Sequence, residues 1–319
     1  MAGQGNSIRA IFFALGANFA IFVAKSVAAF MTGSGAMLAE AVHSLADCGN
    51  QVLLLLGIRQ AKRPPSPDYP LGYGKAVYFW SFLVALMLFS VGGMFSLYEG
   101  WHKLSEGQPL TSPWIAIGVL VFSIIVESVS MRACLIEVNK ARGEQNLWQW
   151  FRQSRQAELV VIFGEDLAAL LGLVFALIAV VLTMITGNPL WDALGTLAIG
   201  ALLIIVAILI SIEVKAMLIG QSIEPRSRQR LLEFLQHRPE IEKVYNLLTL
   251  QLGNDVMVSV KAKMRGEESA LGMIGQINTI ERELRRSFPE VRFSFFEPDI
   301  ADHDEPDATI SESSRPHPH

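Results

Sequence analysis

His43 and Asp47 stand four residues apart in AEAVHSLADCGNQ (39–51), inside a run from about Ala36 to Ile58 that is otherwise apolar. On a helix that spacing puts an imidazole and a carboxylate on one face. An ionisable group at the centre of a membrane helix costs about 2.5–3.5 kcal/mol on insertion scales. Two on one face point to an ion or a proton handled there. The plainer alternative is a His–Asp hydrogen bond that ties the bundle together.

A second charged set lies in VVIFGEDLAALLGLVFALIAVV (160–181), where Glu165 and Asp166 are adjacent. Glu158 and Asp166 are two helical turns apart on one face, with Ile162 between them. Carboxylates so close repel one another unless a cation joins them or some stay protonated. With His43 and Asp47 they make one imidazole and two or three carboxylates. Such a set suits Zn²⁺, Mn²⁺, Fe²⁺ or Co²⁺ better than Cu⁺, which prefers sulfur. Glu40, three residues before His43, shares roughly its face as a fourth ligand or a supporting partner. Asn50 and Gln51 read as interhelical hydrogen-bonding groups, and Asn18 and Lys25 as partners for the carboxylates. Lys25 near a helix end could equally snorkel to the interface. Glu127 reads as either a proton-path residue or half of an ion pair, Asp192 as a cap or interhelical tie, and Cys48 as packing.

These groups need a membrane bundle to hold them. The 319 residues are 51% hydrophobic and 18% charged, with net charge −4 and mean hydropathy +0.38. No global basic surface is present, so nucleic acid is not an expected partner. Two cysteines, Cys48 and Cys134, offer neither a disulfide framework nor a CxxC zinc site. Six apolar runs of spanning length can be drawn: Ile8–Met31, Ala36–Ile58, Val77–Trp101, Trp114–Ile136, Leu159–Thr186 and Pro189–Ile212. With no basic leader ahead of it, the first reads as a retained span rather than a signal peptide.

Basic residues gather in two connections, Arg59, Lys62, Arg63 and Lys75 after the second span and Arg132 to Arg155 around the end of the fourth. Lys103 is the only Lys or Arg on the other side. The positive-inside rule therefore puts both termini and everything after Ile212 in the cytoplasm. If the source is bacterial, the membrane is the plasma (inner) membrane.

Beyond Lys215 the chain turns polar. Arg226–His237 reads as a helix, Lys243–Leu252 and Asp255–Met264 as a hairpin about Gly253–Asn254, Leu271–Phe288 as an amphipathic helix and Val291–Phe296 as a third strand. The order α-β-β-α-β suggests a two-layer α+β domain. The expected organisation is a transmembrane domain at 1–215, a cytoplasmic dimerisation domain at 216–300 and a disordered acidic tail at 301–319. The tail's His303, His317 and His319 read as solvated groups.

TGSGAMLAEAVHSLAD, YPLGYGKAVYFW, the acidic fifth span, GNPLWDALGTLAIG and the α-β-β-α-β region occur in an order that resembles the cation diffusion facilitator family. The likeness covers about residues 8–300 and is strongest to the branch containing zinc transporter nine, which also carries a Glu–Asp pair in its fifth span. It implies a six-helix bundle, a ferredoxin- or metallochaperone-like domain and a homodimer made through both parts. It also implies a metal site of two positions in the second span and two in the fifth, each pair i and i+4. Those fall on His43, Asp47, Ile162 and Asp166. Ile162 cannot coordinate, so Glu165 is the expected substitute, with water or Glu40 to complete the shell. The family's loop histidines are replaced by Tyr69 and Tyr73. Those of its cytoplasmic domain are replaced by Tyr245, Val260 and Phe296, which implies a dimer contact without a metal sensor.

The resulting expectation is a secondary transporter exporting a divalent cation, zinc first, in exchange for protons. Metal, protons and lipid are its partners, and it carries no resident cofactor. Manganese, iron or cobalt export and a non-transporting scaffold or sensor are the alternatives. An enzyme is not expected, since no HExxH or paired catalytic pattern occurs.

Overall fold

A computed structural model describes residues 2–106, 110–266 and 269–300, apart from the side chains of 2–15, 17 and 106. The expected tail at 301–319 lies outside the described residues. The chain divides into two units at Ile219/Gly220, four residues beyond the boundary expected at 215/216.

In the first unit, among the described residues, five helical stretches are long and apolar enough to cross a membrane. They are Gly35–Ala61, Ala76–Ser105, Pro113–Arg142, Ala157–Thr186 and Leu190–Ile219. Helix α1 (Ala2–Thr32) adds an apolar described part, Asn18–Thr32. A 30-residue helix is about 45 Å long at 1.5 Å per residue, enough for the hydrocarbon core with interfacial turns to spare. The joins form where small residues allow them. Gly33 at φ 67° follows α1, and the Ser34 hydroxyl accepts from Met37 N–H to cap α2 (Gly35–Ala61). Gly187 at φ 66° closes α7 (Ala157–Thr186) ahead of α8 (Leu190–Ile219). The interior between these helices is packed by Met37, Tyr78, Leu120, Leu173, Ile199 and Leu203.

The third apolar run departs from the single α-helix expected over Val77–Trp101. It is α3 (Ala76–Met87), a π-helical segment (Leu88–Met94), then α4 (Phe95–Glu106). The glycines explain where the change can sit. A Cβ on Gly93 would come 2.5 Å from Ile204 Cγ1, so this backbone lies directly on α8. The Ser96 hydroxyl donates to the Gly92 carbonyl at 2.7 Å. A π turn inserts an extra residue into the helix and so turns α4 about the axis relative to α3. After α5 (Pro113–Arg142), a short helix α6 (Leu147–Gln153) also went unread in the sequence. Asn146 caps it by accepting from Gln149 N–H at 2.7 Å. It exists because Trp150 and Phe151 are buried, Trp150 packing edge-on to Phe163 at 5.7 Å.

The second unit has the expected order: α9 (Pro225–Gln236), β1 (Ile241–Leu252), β2 (Asp255–Met264), α10 (Ala270–Ser287) and β3 (Val291–Pro298). The sheet runs β1-β2-β3, with β1 antiparallel and β3 parallel to β2. Alternate residues of β2 (Val256, Val258, Val260, Ala262) are buried together with Leu231 and Leu235 of α9 and Ile280 and Leu284 of α10. Arg238 clasps this unit through Glu240 and Glu283. Partial burial works against its charge, but those carboxylate hydrogen bonds win and raise its pKa above the ordinary arginine value. Val260 is 2% exposed and so packs the core of its own unit, while the partly buried Phe296 packs against that same core. Tyr245 instead donates its hydroxyl to the Ile300 carbonyl at 3.0 Å.

Candidate metal centre

The bundle brings the polar residues of α1, α2, α5 and α7 around one cavity of about 310 Å³. Its polar lining is Asn18, Asp47, Gln51, Glu127, Ser130, Glu165 and Asp166, and its apolar lining includes Leu54, Ile58 and Ile162. Each helix contributes on its inward face, as the i, i+4 spacing requires. Asp47 and Gln51 come from one stripe of α2, Ile162 and Asp166 from one stripe of α7.

His43 is fully buried beside Asp47, its Nε2 3.7 Å from Asp47 Oδ2. That is an ion-pair separation, not a hydrogen bond. Neither ring nitrogen of His43 has a hydrogen-bond partner, and Asp47 Oδ1 is buried without one. Leaving a buried polar atom unpaired costs about 1–3 kcal/mol. Three such atoms on His43 and Asp47 make this pair a candidate for binding an ion. Glu165 is 8% exposed and accepts from Asn50 Nδ2 at 2.5 Å. Asp166 accepts from the Ser130 hydroxyl at 3.3 Å. Ile162 is 38% exposed and lines the cavity, so the position lacking a ligand does face the shared space.

The groups bracket the cavity without closing on a point. Among the described residues no three His, Cys, Asp or Glu side chains are gathered closely enough to hold a metal ion. Glu40 stands apart from the cavity. It is fully buried and pairs with Lys25, Nζ to Oε2 at 3.0 Å, while Lys25 also donates to Ser44 Oγ at 2.8 Å. Lys25 is therefore buried and does not snorkel. Asp192 is the tie expected of it: its carboxylate accepts from Ser34 Oγ at 2.5 Å and Gly35 N–H at 2.7 Å, capping α2 from α8. Tyr69 and Tyr73 pack against each other with their rings tilted by 35°, ring centroids 4.5 Å apart. Sequence reasoning missed Ser130, whose only signal was its place one turn after Glu127 on α5.

Residues 11–219 match the cation efflux transmembrane domain. The chain belongs to the cation efflux family. Among its relatives is the mitochondrial proton-coupled zinc antiporter SLC30A9 of Xenopus laevis, 38% identical over 235 residues, covering 73% of this chain and 42% of that protein. The Homo sapiens protein of the same name is 36% identical over 233 residues, 72% of this chain and 41% of that one. The cation-efflux pump FieF of Salmonella paratyphi A is 23% identical over 270 residues, 85% of each chain. The chain thus spans about two fifths of the length of the antiporters. As a cation efflux protein it is a multi-pass integral membrane protein, and the acidic cavity lies within the matched region.

Proposed function

We propose that the protein moves a divalent metal, zinc first, out of the cytoplasm in exchange for protons. The observation that carries this reading is the set of unpartnered buried atoms, His43 Nδ1 and Nε2 and Asp47 Oδ1, beside a cavity lined by Glu127, Glu165 and Asp166. His43, Asp47 and Asp166 are the ligands, with Glu165 swinging from Asn50 to supply the one absent at Ile162. The relatives named as proton-coupled zinc antiporters agree with this choice of ion and coupling.

The mechanism follows from the ligand types. Metal needs a neutral imidazole and ionised carboxylates, so binding expels protons, and protons returning to the same atoms expel metal. Histidine is the ligand type best suited to trade a proton for a metal, so His43 is the natural carrier of that exchange. The basic connections put the Ile58 end of the cavity on the cytoplasmic side. Alternating access then requires α2 and α7 to turn the shared face from one side to the other. We further propose that the protein works as a homodimer, the second unit lying in the cytoplasm.

One observation favours the alternative of a scaffold without transport: the fourth ligand position is Ile162 and the carboxylates have not converged. Purified protein in liposomes decides between them. A pH gradient should drive zinc uptake, and comparison with manganese, iron and cobalt ranks the cargo. Absence of any metal-dependent proton flux overturns transport.

A further inference from the structure

The cavity reaches from Asp47 to Leu54 and Ile58 on α2, that is, toward the helix end that carries Arg59, Lys62 and Arg63. On the other side of the site, three helices present a different constellation at one level. Lys25 is seven residues beyond Asn18 on α1, Glu40 is seven before Asp47 on α2, and Gly172 is six beyond Asp166 on α7. At 1.5 Å per residue each displacement is about 9–10.5 Å along its helix. All three lead toward the Gly35 end of α2. Burial follows the same direction: the Asp47 side chain keeps 18% exposure, and Lys25 and Glu40 keep none.

The three residues fit one another. The Lys25 ammonium joins Glu40 Oε2 and Ser44 Oγ, crossing from α1 to α2. Glu40 Oε1 has no partner and lies where a Cβ on Gly172 would come within 2.5 Å of it. Only glycine on α7 leaves the carboxylate that room. A buried ion pair adds little to stability compared with apolar packing, so its presence directly beyond the site calls for a role.

We propose that Lys25 and Glu40 form the gate that shuts the site off from the Gly35 side in this conformation, with Gly172 as the seat of the Glu40 carboxylate. Lys25 acts as a tethered cation. Its ammonium occupies the carboxylate that a departing metal would otherwise meet, and the pair must part before cargo can leave. The proposal rests on the transport reading above, and it assigns Glu40 to the exit path, not to the metal shell.

The test reads access, which does not require that Asp47 bind metal. In a background with Cys48→Ser and Cys134→Ser, Asp47→Cys places a thiol at the site. Sealed vesicles of either orientation are then treated with a membrane-impermeant maleimide. With the pair intact, the thiol should react from the basic end and stay shielded from the Gly35 end. Lys25→Gln and, separately, the shape-conserving Glu40→Gln should make it react from the Gly35 end about a hundredfold faster, since removing one partner of a buried pair strongly destabilises it. Gly172→Ala, which displaces the carboxylate without touching a charge, should act in the same direction. The exchanged pair Lys25→Glu with Glu40→Lys should restore shielding. Labelling from the basic end serves as the control for folding in every variant. Shielding that persists in both charge-removing variants, or reaction from the Gly35 end with the pair intact, overturns the gate. Loss of zinc flux in the Asp47 background alone bears only on the ligand assignment.

Discussion

At the residue scale the site is defined by atoms that lack partners. His43 and Asp47 lie against each other without a hydrogen bond, and Asp166 has only a long contact with Ser130. Among the described residues neither aspartate is tied to a Lys or Arg within hydrogen-bond reach, so Asp47→Ala and Asp166→Ala should abolish metal flux in liposomes while thermal unfolding stays where it was. Near-normal flux in either variant removes that residue from the ligand set. Glu165 differs, because it already accepts from Asn50. Glu165→Gln keeps an oxygen for that bond and loses the charge. Metal affinity should therefore fall by one to two powers of ten, roughly 1.4–2.8 kcal/mol, with the melting temperature unchanged in a calorimetric titration and scan. Adding Ile162→His should restore affinity, since position 162 lines the cavity. If the melting temperature falls and affinity does not, Glu165 is a structural partner of Asn50.

At the element scale the least expected feature is the π segment at Leu88–Met94. It turns the remainder of the third span so that Gly93 and Gly100 meet α8. A Cβ at Gly100 would lie 2.7 Å from Leu197 Cγ, and one at Gly93 2.5 Å from Ile204 Cγ1. Overpacking of this kind costs about 1–3 kcal/mol. Gly93→Ala should accordingly lower thermal stability of the detergent-solubilised protein by several degrees. An unchanged melting temperature would show that the third span can part from α8 freely. The same segment passes close to the site, for a Cβ on Gly92 would stand 3.9 Å from His43 Nδ1.

At the scale of the whole molecule, the second unit buries one sheet face under α9 and α10, and its other face carries exposed apolar side chains. On that face Leu248, Ser259 and Phe295 form a row across the three strands, with Leu248 60% and Phe295 54% exposed. Exposed apolar residues rimmed by polar ones are the usual mark of a protein contact. Residues 222–300 should be dimeric by light scattering in the presence of chelator, and Leu248→Asp with Phe295→Asp should give monomers. A unit that pairs only after zinc is added would place metal back at the contact.

Much of this was legible in the chain. A hydrophobic run of spanning length marks a membrane helix wherever it occurs, and a two-residue alternation marks a strand, because both depend on neighbours in sequence. The α-β-β-α-β order and the facing of His43 with Asp47 and Ile162 with Asp166 came from that local periodicity. The π segment, the burial of Val260 and α6 did not, since each depends on what lies opposite: α8 against Gly93, two helices over β2, Phe163 against Trp150. The pairing of Lys25 with Glu40 belongs to the same class. A lysine near the end of an apolar run can snorkel to water or turn inward, and the sequence leaves both options open. Only the approach of α2 and the gap at Gly172 on α7 turn it inward, where a carboxylate meets the ammonium at 3.0 Å.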